Sequence, residues 1–323
     1  MKQNGVLRFG KLTLITIIIL FGTQAFGGVS GKVIIFHDSS LSLPFKHLEM
    51  AVETKYSKLD IHLEAAGCRK ITDEKRACDI IASADYKVID NLLIPEYADW
   101  YVCFASNQMV LCYTDQSAHA KEIKTDNWHD ILLKKDITWG HTDPNIDPTG
   151  YRALMVVQLA EKHLNLPGLM DRLIANRSAK NIFASASQMV SVLQDDKLDY
   201  CWEYSSVAVQ HGLKYIVLPD EINLGNYKFD SNYKQASVKV TGKTRGSFME
   251  LRGKCITYGV TMLKDAPNKE GAIAFLQCLF TRNGGLMVLK SMGQSPFVPC
   301  RIPTAEMKSF LPSKLQQMVE IKQ

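Results

Sequence analysis

The N-terminal half of the chain alternates between short β-branched runs and segments with helical spacing. Residues 32–36 form one such run, which ends at the polar turn His37-Asp38-Ser39-Ser40. Residues 60–64 and 79–82 are two further strand-like runs, and the segment after Pro44 repeats apolar residues every three or four positions. Strands that alternate with helices predict an α/β fold with a mostly parallel sheet covered on both faces.

Later segments predict a second body of the same kind. Residues 108–113 are a strand that leads out of the first lobe, and residues 256–263 are a strand that returns the chain to it. Between them we predict a helix from Tyr151 to about Leu164 and a strand over residues 198–202. The sequence therefore indicates two α/β lobes joined by two crossings, with a cleft between them that favours ligand binding.

The first 27 residues have the pattern of a secretory signal. Three basic residues precede the apolar run 12–21, and Ala25-Phe26-Gly27 resembles a cleavage site. We therefore predict an exported, soluble protein. Removal of this segment lowers the formal net charge from +5 to +2, and the remaining basic residues are scattered among acidic ones. A nucleic-acid-binding protein would instead show a basic stripe, so this class is disfavoured.

Eight cysteines remain after the signal, and export makes disulfides chemically possible. The chain has no C-x-x-C motif, which disfavours structural zinc and thioredoxin-like redox chemistry. Cys68 and Cys78 bracket a polar loop and are the pair that we favour for a bridge. Cys103 and Cys112 lie in apolar runs typical of buried thiols.

Three serines follow predicted strands directly: Ser39, Ser40 and Ser83. In α/β proteins with parallel strands, ligands bind beyond the carboxyl ends of the strands. The serines are therefore candidates for an oxyanion site, because neutral O–H and N–H donors can hold an anion there. A hydroxyl after a strand is also common in α/β proteins without such a site.

The loop before the Tyr151 helix combines the small residues Thr149 and Gly150 with the carboxylate of Asp147. Free N–H groups at a helix N-terminus attract anions, so Thr149 and Gly150 are candidate oxyanion ligands. Asp147 would repel an ordinary oxyanion, and its simpler role is that of an N-cap. Calcium binding is excluded because the EF-hand spacing would place Pro148 where glycine is required and Leu154 where glutamate is required.

Glu203 ends the strand-like run 198–202 and is a second candidate carboxylate. If Asp147 and Glu203 face one cleft, two interpretations compete. The pair would serve either as the acid and base of a glycosidase-like hydrolase or as hard oxygen ligands of a metal centre. Sequence separation does not decide between them.

Five ordered motifs resemble the periplasmic tungstate/molybdate-binding proteins of ABC importers, particularly their archaeal-type branch. The resemblance covers residues 32–303 and lies in residues 35–45, 82–86, 94–101, 147–152 and 203–214, the last extended by 218–225.

This resemblance implies a type II periplasmic binding fold of two α/β lobes. We place lobe I at residues 28–113 and 256–323, lobe II at residues 114–255, and the signal peptide at residues 1–27. It also implies a periplasmic monomer that is not an enzyme and needs no cofactor. Its partners would be the permease and ATPase of an ABC importer.

The family's site residues correspond to residues named above. Asp147 and Glu203 would bond to the tungsten or molybdenum centre, and Ser39, Ser40, Ser83 and the region of Thr149 and Gly150 would hold the oxo atoms. The alternatives are an exported carboxylate-pair hydrolase, or the same fold binding sulfate, phosphate or ferric ion.

Three positions depart from the family pattern. The family usually has Ala-Gly-Ser where this chain has Asp38-Ser39-Ser40, and we expect the added Asp38 carboxylate to point away from the ligand. The loop after Gly67 is shorter than usual. Thr149 replaces a residue that is often cysteine, an exchange that a backbone contact would tolerate.

Overall fold

The computed structural model describes residues 28–242 and 246–322 of the chain. The predicted signal peptide at residues 1–27 lies outside the described residues. Within the described part, no single helix is long and apolar enough to cross a membrane; one pair of helices bent by 54°, Lys269–Phe280 and Gly285–Ser291, meets the length and composition test together.

The strands of the described chain form two larger sheets and a hairpin. They are β1 (Gly31–His37), β2 (Leu59–Ala65), β3 (Ile80–Ser83), β4 (Val102–Asn107), β5 (Met109–Tyr113), β6 (Trp139–Thr142), β7 (Ile182–Phe183), β8 (Tyr200–Tyr204), β9 (Lys214–Val217), β10 (Ser237–Thr241), β11 (Phe248–Arg252), β12 (Ile256–Met262), β13 (Ser295–Ile302) and β14 (Val319–Ile321).

The helices cover both larger sheets. They are α1 (Ser42–Lys55), α2 (Arg69–Thr72), α3 (Tyr86–Leu93), α4 (Trp128–Leu132), α5 (Pro148–His163), α6 (Leu169–Asn176), α7 (Ala186–Gln194), α8 (Ser205–Gln210), α9 (Asp230–Tyr233), α10 (Lys269–Phe280), α11 (Gly285–Ser291), α12 (Ala305–Phe310) and α13 (Ser313–Gln316). Short 3-10 turns cover Ser39–Leu41, Ala179–Asn181 and Tyr227–Phe229.

Lobe I is built on the seven-stranded sheet β14-β13-β4-β12-β3-β1-β2. Strand β1 runs parallel to β2 and β3, as the alternating sequence predicted. Strand β12 runs antiparallel to both β3 and β4, so the prediction of a mostly parallel sheet is wrong. The reason is topological: β4 carries the chain out of the lobe and β12 carries it back beside β4, so the two must point in opposite directions.

Lobe II is built on the five-stranded sheet β7-β6-β8-β5-β9. Strands β6, β7 and β8 are parallel, whereas β5 is antiparallel to β8 and β9. Strand β5 therefore belongs to the second sheet, although we had assigned residues 109–113 to lobe I. Its residues Val110, Leu111 and Cys112 are fully buried, because β5 lies between β8 and β9 in that sheet.

The two crossings lie side by side. The first passes through Asn107 and Gln108, between β4 and β5, and the second enters β12 at Ile256. The Met109 N–H donates to Asn223 O and the Ile256 N–H donates to Leu224 O, each over 2.8 Å. One short segment of lobe II thus holds the first residue of β5 and the first residue of β12, so both crossings belong to one narrow hinge.

All eight cysteines are free thiols, and seven of them are buried. The predicted Cys68–Cys78 bridge is therefore not formed. Both thiols instead pack among the apolar side chains behind β1 and β3, where burial raises the pKa of Cys78 to about 12. Cys103 and Cys112 are buried, as predicted from their apolar surroundings.

Candidate functional site

The lobe I side of the candidate site begins where β1 ends. The Asp38 carboxylate caps the Ser39–Leu41 turn, and its Oδ1 accepts hydrogen bonds from the Ser40 N–H (3.2 Å) and the Ser40 hydroxyl (3.0 Å). Ser40 is buried and its Oγ lies 2.9 Å from the Tyr258 hydroxyl, whereas Ser39 is exposed. The sequence thus places two serines at this edge, in two different environments.

Ser83 ends β3, the neighbouring strand, and is buried. Its Oγ accepts a hydrogen bond from the Asp85 N–H over 3.1 Å, which fixes the short turn between β3 and α3. The carboxylate of Asp85 in turn caps α3 through the Lys87 N–H, over 3.0 Å. Because β1 and β3 are adjacent and parallel, Ser40 and Ser83 lie at the same sheet edge, as predicted.

On the lobe II side, helix α5 starts at Pro148, three residues before the predicted start. Proline suits the first helical turn, because N–H groups in that turn have no acceptor within the helix and the missing N–H of proline costs no hydrogen bond. Asp147 is the N-cap, with Oδ1 accepting from the Thr149 N–H over 2.8 Å, so the simpler role of Asp147 is confirmed. The Gly150 N–H donates to Asp147 O over 3.0 Å. Both predicted oxyanion N–H groups are therefore engaged within the helix cap.

Gly150 is required by packing. A Cβ at this position would lie 2.2 Å from Thr142 O and 2.8 Å from the Asp143 carbonyl carbon. Only glycine allows the first turn of α5 to approach the end of β6 this closely. This contact fixes the first turn of α5, which Asp147 caps, against the end of β6.

Glu203 lies near the end of β8 and is fully buried. Its Oε2 accepts from the Tyr204 N–H over 3.0 Å. Within the described chain, its Oε1 is buried and has no hydrogen-bond partner. A buried carboxylate oxygen without a donor is costly, so this atom is prepared for a ligand that the protein alone does not supply.

The carboxylates of Asp147 and Glu203 share one electrostatic environment. Burial, and then the charge of Asp38, raise the pKa of Asp147 to about 6. Burial, and then the charge of Asp147, raise the pKa of Glu203 well above its usual value. The charge of Asp38 therefore acts on both groups. Asp38 Oδ1 is held by Ser40.

A hydrogen-bond network joins this site to the hinge. Asn107 Nδ2 donates to the Tyr258 hydroxyl (2.8 Å) and to Ser206 Oγ (2.7 Å), and Asn107 Oδ1 accepts from the Ser205 hydroxyl (2.9 Å). Tyr258 belongs to lobe I and contacts Ser40, whereas Ser205 and Ser206 begin α8, two residues after Glu203. The crossing residue Asn107 therefore binds the supports of the site in both lobes.

Four further residues of this region were not predicted from the sequence: Asp85, Arg152, Asn107 and Tyr258. Two of them stand inside motifs that were recognised: Asp85 follows Ser83 by two residues, and Arg152 closes the run that begins at Asp147. The charge of these two residues, inside motifs that carry site residues, was the feature that could have identified them. Asn107 and Tyr258 lie in apolar strands and gave no signal of their own.

The assembled cleft offers two acidic oxygen ligands from lobe II and hydroxyl groups from lobe I. Hard oxygen donors suit a highly charged metal centre. Among residues 28–242 and 246–322, no group of three or more His, Cys, Asp and Glu side chains is placed to enclose a metal ion.

Comparison with known proteins agrees with this architecture. A solute-binding protein of Petrotoga mobilis is 41% identical over 294 residues, which cover 90% of this chain and 91% of the relative. The molybdate/tungstate-binding protein of Pyrococcus abyssi is 37% identical over 299 residues, which cover 81% of this chain and 84% of the relative.

The solved periplasmic molybdate-binding protein of Azotobacter vinelandii superposes with a TM-score of 0.57 at 15% identity, covering 81% of this chain and 98% of that protein. At this identity the likeness concerns the fold, and it confirms the predicted type II periplasmic binding fold.

The family model described as "bacterial extracellular solute-binding protein" matches residues 33–287. Together with relatives that align over most of its length, this match shows that the chain belongs to the bacterial extracellular solute-binding proteins.

Proposed function

We propose that this protein captures tungstate or molybdate between its two lobes in the periplasm and delivers the anion to the permease of an ABC importer. Asp147 and Glu203 bond to the metal centre of the anion, and Ser39, Ser40 and Ser83 hold its oxo atoms. The Thr149 N–H keeps the Asp147 carboxylate in place. The protein has no reaction to catalyse. Its work is differential binding, in which the ligand favours the closed arrangement that the permease recognises.

The observation that carries this proposal is the Oε1 atom of Glu203. It is buried, it lies within electrostatic reach of the Asp147 carboxylate, and it has no donor among the described residues. A carboxylate pair in this position repels ordinary anions, but a hexavalent tungsten or molybdenum centre can accept both oxygens as additional ligands. Bond formation would remove the cost of the unpaired oxygen and the repulsion between the two carboxylates.

The same pair explains how sulfate and phosphate would be rejected. Their central atoms do not accept additional ligands, so the two carboxylates act on them only through charge repulsion. Selectivity against these abundant anions then comes from an unfavourable contact with the wrong ligand. The relatives named as molybdate/tungstate-binding support this ligand class. Tungstate and molybdate have nearly the same size and charge, and the proposal covers both.

The direct test is isothermal titration of the mature protein with tungstate, molybdate and sulfate. We expect tight binding of the first two and no heat from sulfate. Asp147→Asn and Glu203→Gln should each weaken tungstate binding by at least about 100-fold, because each removes a charged ligand while keeping the side-chain shape.

Asp195→Asn is the matched control. Asp195 is an exposed carboxylate of the same lobe that pairs with Lys197 on the surface. This variant should bind tungstate like the wild type. Unchanged tungstate affinity in both site variants would contradict the coordination of the metal centre by these carboxylates, and tight sulfate binding by the wild type would contradict the proposed selectivity.

A further inference from the structure

A second buried charge cluster spans the two lobes behind the candidate site. At its centre is the carboxylate of Asp85, which follows β3 in lobe I and is buried. Oδ2 accepts from the Tyr151 hydroxyl over 3.2 Å and lies 3.3 Å from Arg152 Nη2. Oδ1 lies 2.7 Å from Lys254 Nζ. One lobe I carboxylate thus meets three polar groups that the neighbouring lobe and its return segment supply.

Arg152 extends this cluster to both halves of the site. Its Nη1 donates to Ala84 O over 3.2 Å and to the Tyr204 hydroxyl. Ala84 is the neighbour of Ser83, and Tyr204 is the neighbour of Glu203. Because Arg152 is in the second turn of α5, behind Asp147, its guanidinium connects three segments that carry site residues.

The cluster is buried, which makes its charge pairing important. Arg152 is 2% exposed and the side chain of Asp85 is 8% exposed. Burial alone would raise the pKa of Asp85, but Lys254 and Arg152 hold it below its usual value. Lys254 Nζ also lies 4.1 Å from the centroid of the Tyr86 ring, so the ring packs against the charged end of this side chain. If the lobes separate, Asp85 loses these partners and must be solvated by water instead.

We propose that Asp85 and Arg152 are positioning residues whose ion pair across the lobes holds the cleft closed on the bound anion and thereby sets how slowly the anion leaves. This inference rests on the proposed function for its ligand. Neither residue contacts the anion in this scheme. They act by stabilising the arrangement in which Ser83, Asp147 and Glu203 face one another.

Loss of the ion pair should affect the rate of anion dissociation much more than the rate of association. The open cleft admits the anion before the pair forms, so removal of the pair leaves the association rate nearly unchanged. Loss of one member of a buried charge pair acts mainly on dissociation. Asp85→Asn should therefore raise the tungstate dissociation rate by about tenfold or more and change the association rate by less than about twofold. Asparagine keeps an oxygen for the Lys87 N–H cap, which protects helix α3.

Asp90→Asn is the control on the same helix. Asp90 pairs with Lys87 over 2.7 Å within lobe I, at the surface, so its loss does not affect lobe contact. Rates are measured by stopped-flow tryptophan fluorescence, with bound tungstate displaced by excess molybdate. The control should retain both wild-type rates.

Arg152→Lys provides a second, independent variant. It keeps the positive charge but loses the planar fork that serves Asp85, Ala84 and Tyr204 together, so it should also accelerate dissociation. Circular dichroism and urea unfolding establish that each variant is folded before its rates are compared. If Asp85→Asn and Arg152→Lys are folded and retain the wild-type dissociation rate, the proposal is overturned.

Small-angle scattering without ligand distinguishes this inference from the proposed function. The ion pair favours closure even in the empty protein, so Asp85→Asn should increase the radius of gyration and Asp90→Asn should not. If wild-type protein fails to bind tungstate yet Asp85→Asn still expands, the proposed ligand is wrong and the closing pair stands. An identical radius for the wild type and Asp85→Asn would overturn the pair as a closing contact.

Discussion

Asp147 has two roles that make opposite demands on its carboxylate. As an N-cap, it stabilises the start of α5 through the Thr149 N–H. As a buried acid beside Asp38 and Glu203, it has a pKa raised to about 6, so its ionisation costs free energy in the empty protein. A residue kept only for stability would be asparagine, which caps equally well without the charge.

This conflict predicts a pH-dependent stability. A carboxyl whose pKa is raised on folding favours the folded protein while it is protonated, and this contribution is lost as the pH rises from about 4 through 6. Asp147→Asn should therefore increase the unfolding free energy of the ligand-free protein at pH 7.5, by on the order of 1–3 kcal/mol, and by clearly less at pH 4.5.

Equilibrium urea unfolding at the two pH values measures this difference. A variant that is less stable than the wild type at pH 7.5 would show that the charge of Asp147 is already compensated in the empty site. The expected result, a more stable variant that no longer holds tungstate, is the usual sign of a functional site maintained at the expense of stability.

At the level of single elements, the first turn of α5 is the part of the site that tolerates least change. Its approach to the end of β6 leaves no room for a side chain at Gly150. We expect Gly150→Ala to destabilise the protein by about 1–3 kcal/mol, because the atoms that a Cβ would meet belong to the backbone and cannot rotate away.

Gly67→Ala is the control for this substitution, since a Cβ at Gly67 would meet nothing within 4 Å. It should leave the midpoint of urea unfolding nearly unchanged or raise it slightly. An equal loss of stability in both variants would assign the effect to the alanine substitution itself and not to the contact with Thr142.

Individual strands and helices show which features of the fold could be predicted from the sequence. The runs at 32–36, 60–64 and 256–263 were placed correctly, because β-branched apolar residues between polar turns have few alternatives. The predicted start of α5 is three residues late, because Pro148 follows a polar loop and its suitability for a first helical turn is not visible in the apolar pattern. Strand direction was wrong for β12, because a run of apolar residues carries no information about its neighbours in the sheet.

The candidate site was predictable to a similar degree. The structure brings the segments of Ser83 and Asp147 together through the hydrogen bond between Tyr151 and Asp85. Of the other predicted site residues, Ser39 is exposed, and the N–H groups of Thr149 and Gly150 are used within the helix cap. The contacts of Asn107 and Tyr258 were not predictable, because they link positions 151 residues apart in the chain. Such contacts depend on tertiary packing, which a local pattern does not encode.

On the scale of the whole molecule, the lobes meet at more than one place. Away from the Asp85 cluster, Gly293 of lobe I approaches α8 of lobe II, and a Cβ there would lie 2.9 Å from Ser206 Cα. Gln210 Nε2 of the same helix donates to Met292 O over 3.2 Å. Closure is therefore limited by direct backbone contact at Gly293.

Gly293→Ala should hold the lobes apart and weaken tungstate binding by about tenfold or more, since the added Cβ would press against Ser206 Cα of the other lobe. Gly293 also has a φ of +86°, which strains any other residue. Gly168→Ala separates the two effects, because Gly168 has a φ of +78° and a Cβ there would meet nothing within 4 Å.

Both variants should lose similar stability in urea unfolding, but only Gly293→Ala should lose affinity in isothermal titration. If Gly168→Ala weakens tungstate binding to the same extent, backbone strain and not lobe contact is responsible for the loss.

The sheet order of lobe I has a consequence for how an exported chain assembles. Strand β12 lies between β3 and β4, yet it is synthesised long after them, since β3 ends at Ser83 and β4 at Asn107 whereas β12 begins at Ile256. Until residue 256 has crossed the membrane, β3 and β4 lack their common neighbour and expose open edges, which are prone to pair with other chains. The residues of lobe II, in contrast, are contiguous from β5 to β9 and can fold as soon as they emerge. Lobe II, although it is translated second, can thus finish folding first. The N-terminal strands of lobe I depend on protection from aggregation until the residues of lobe II and β12 have been exported.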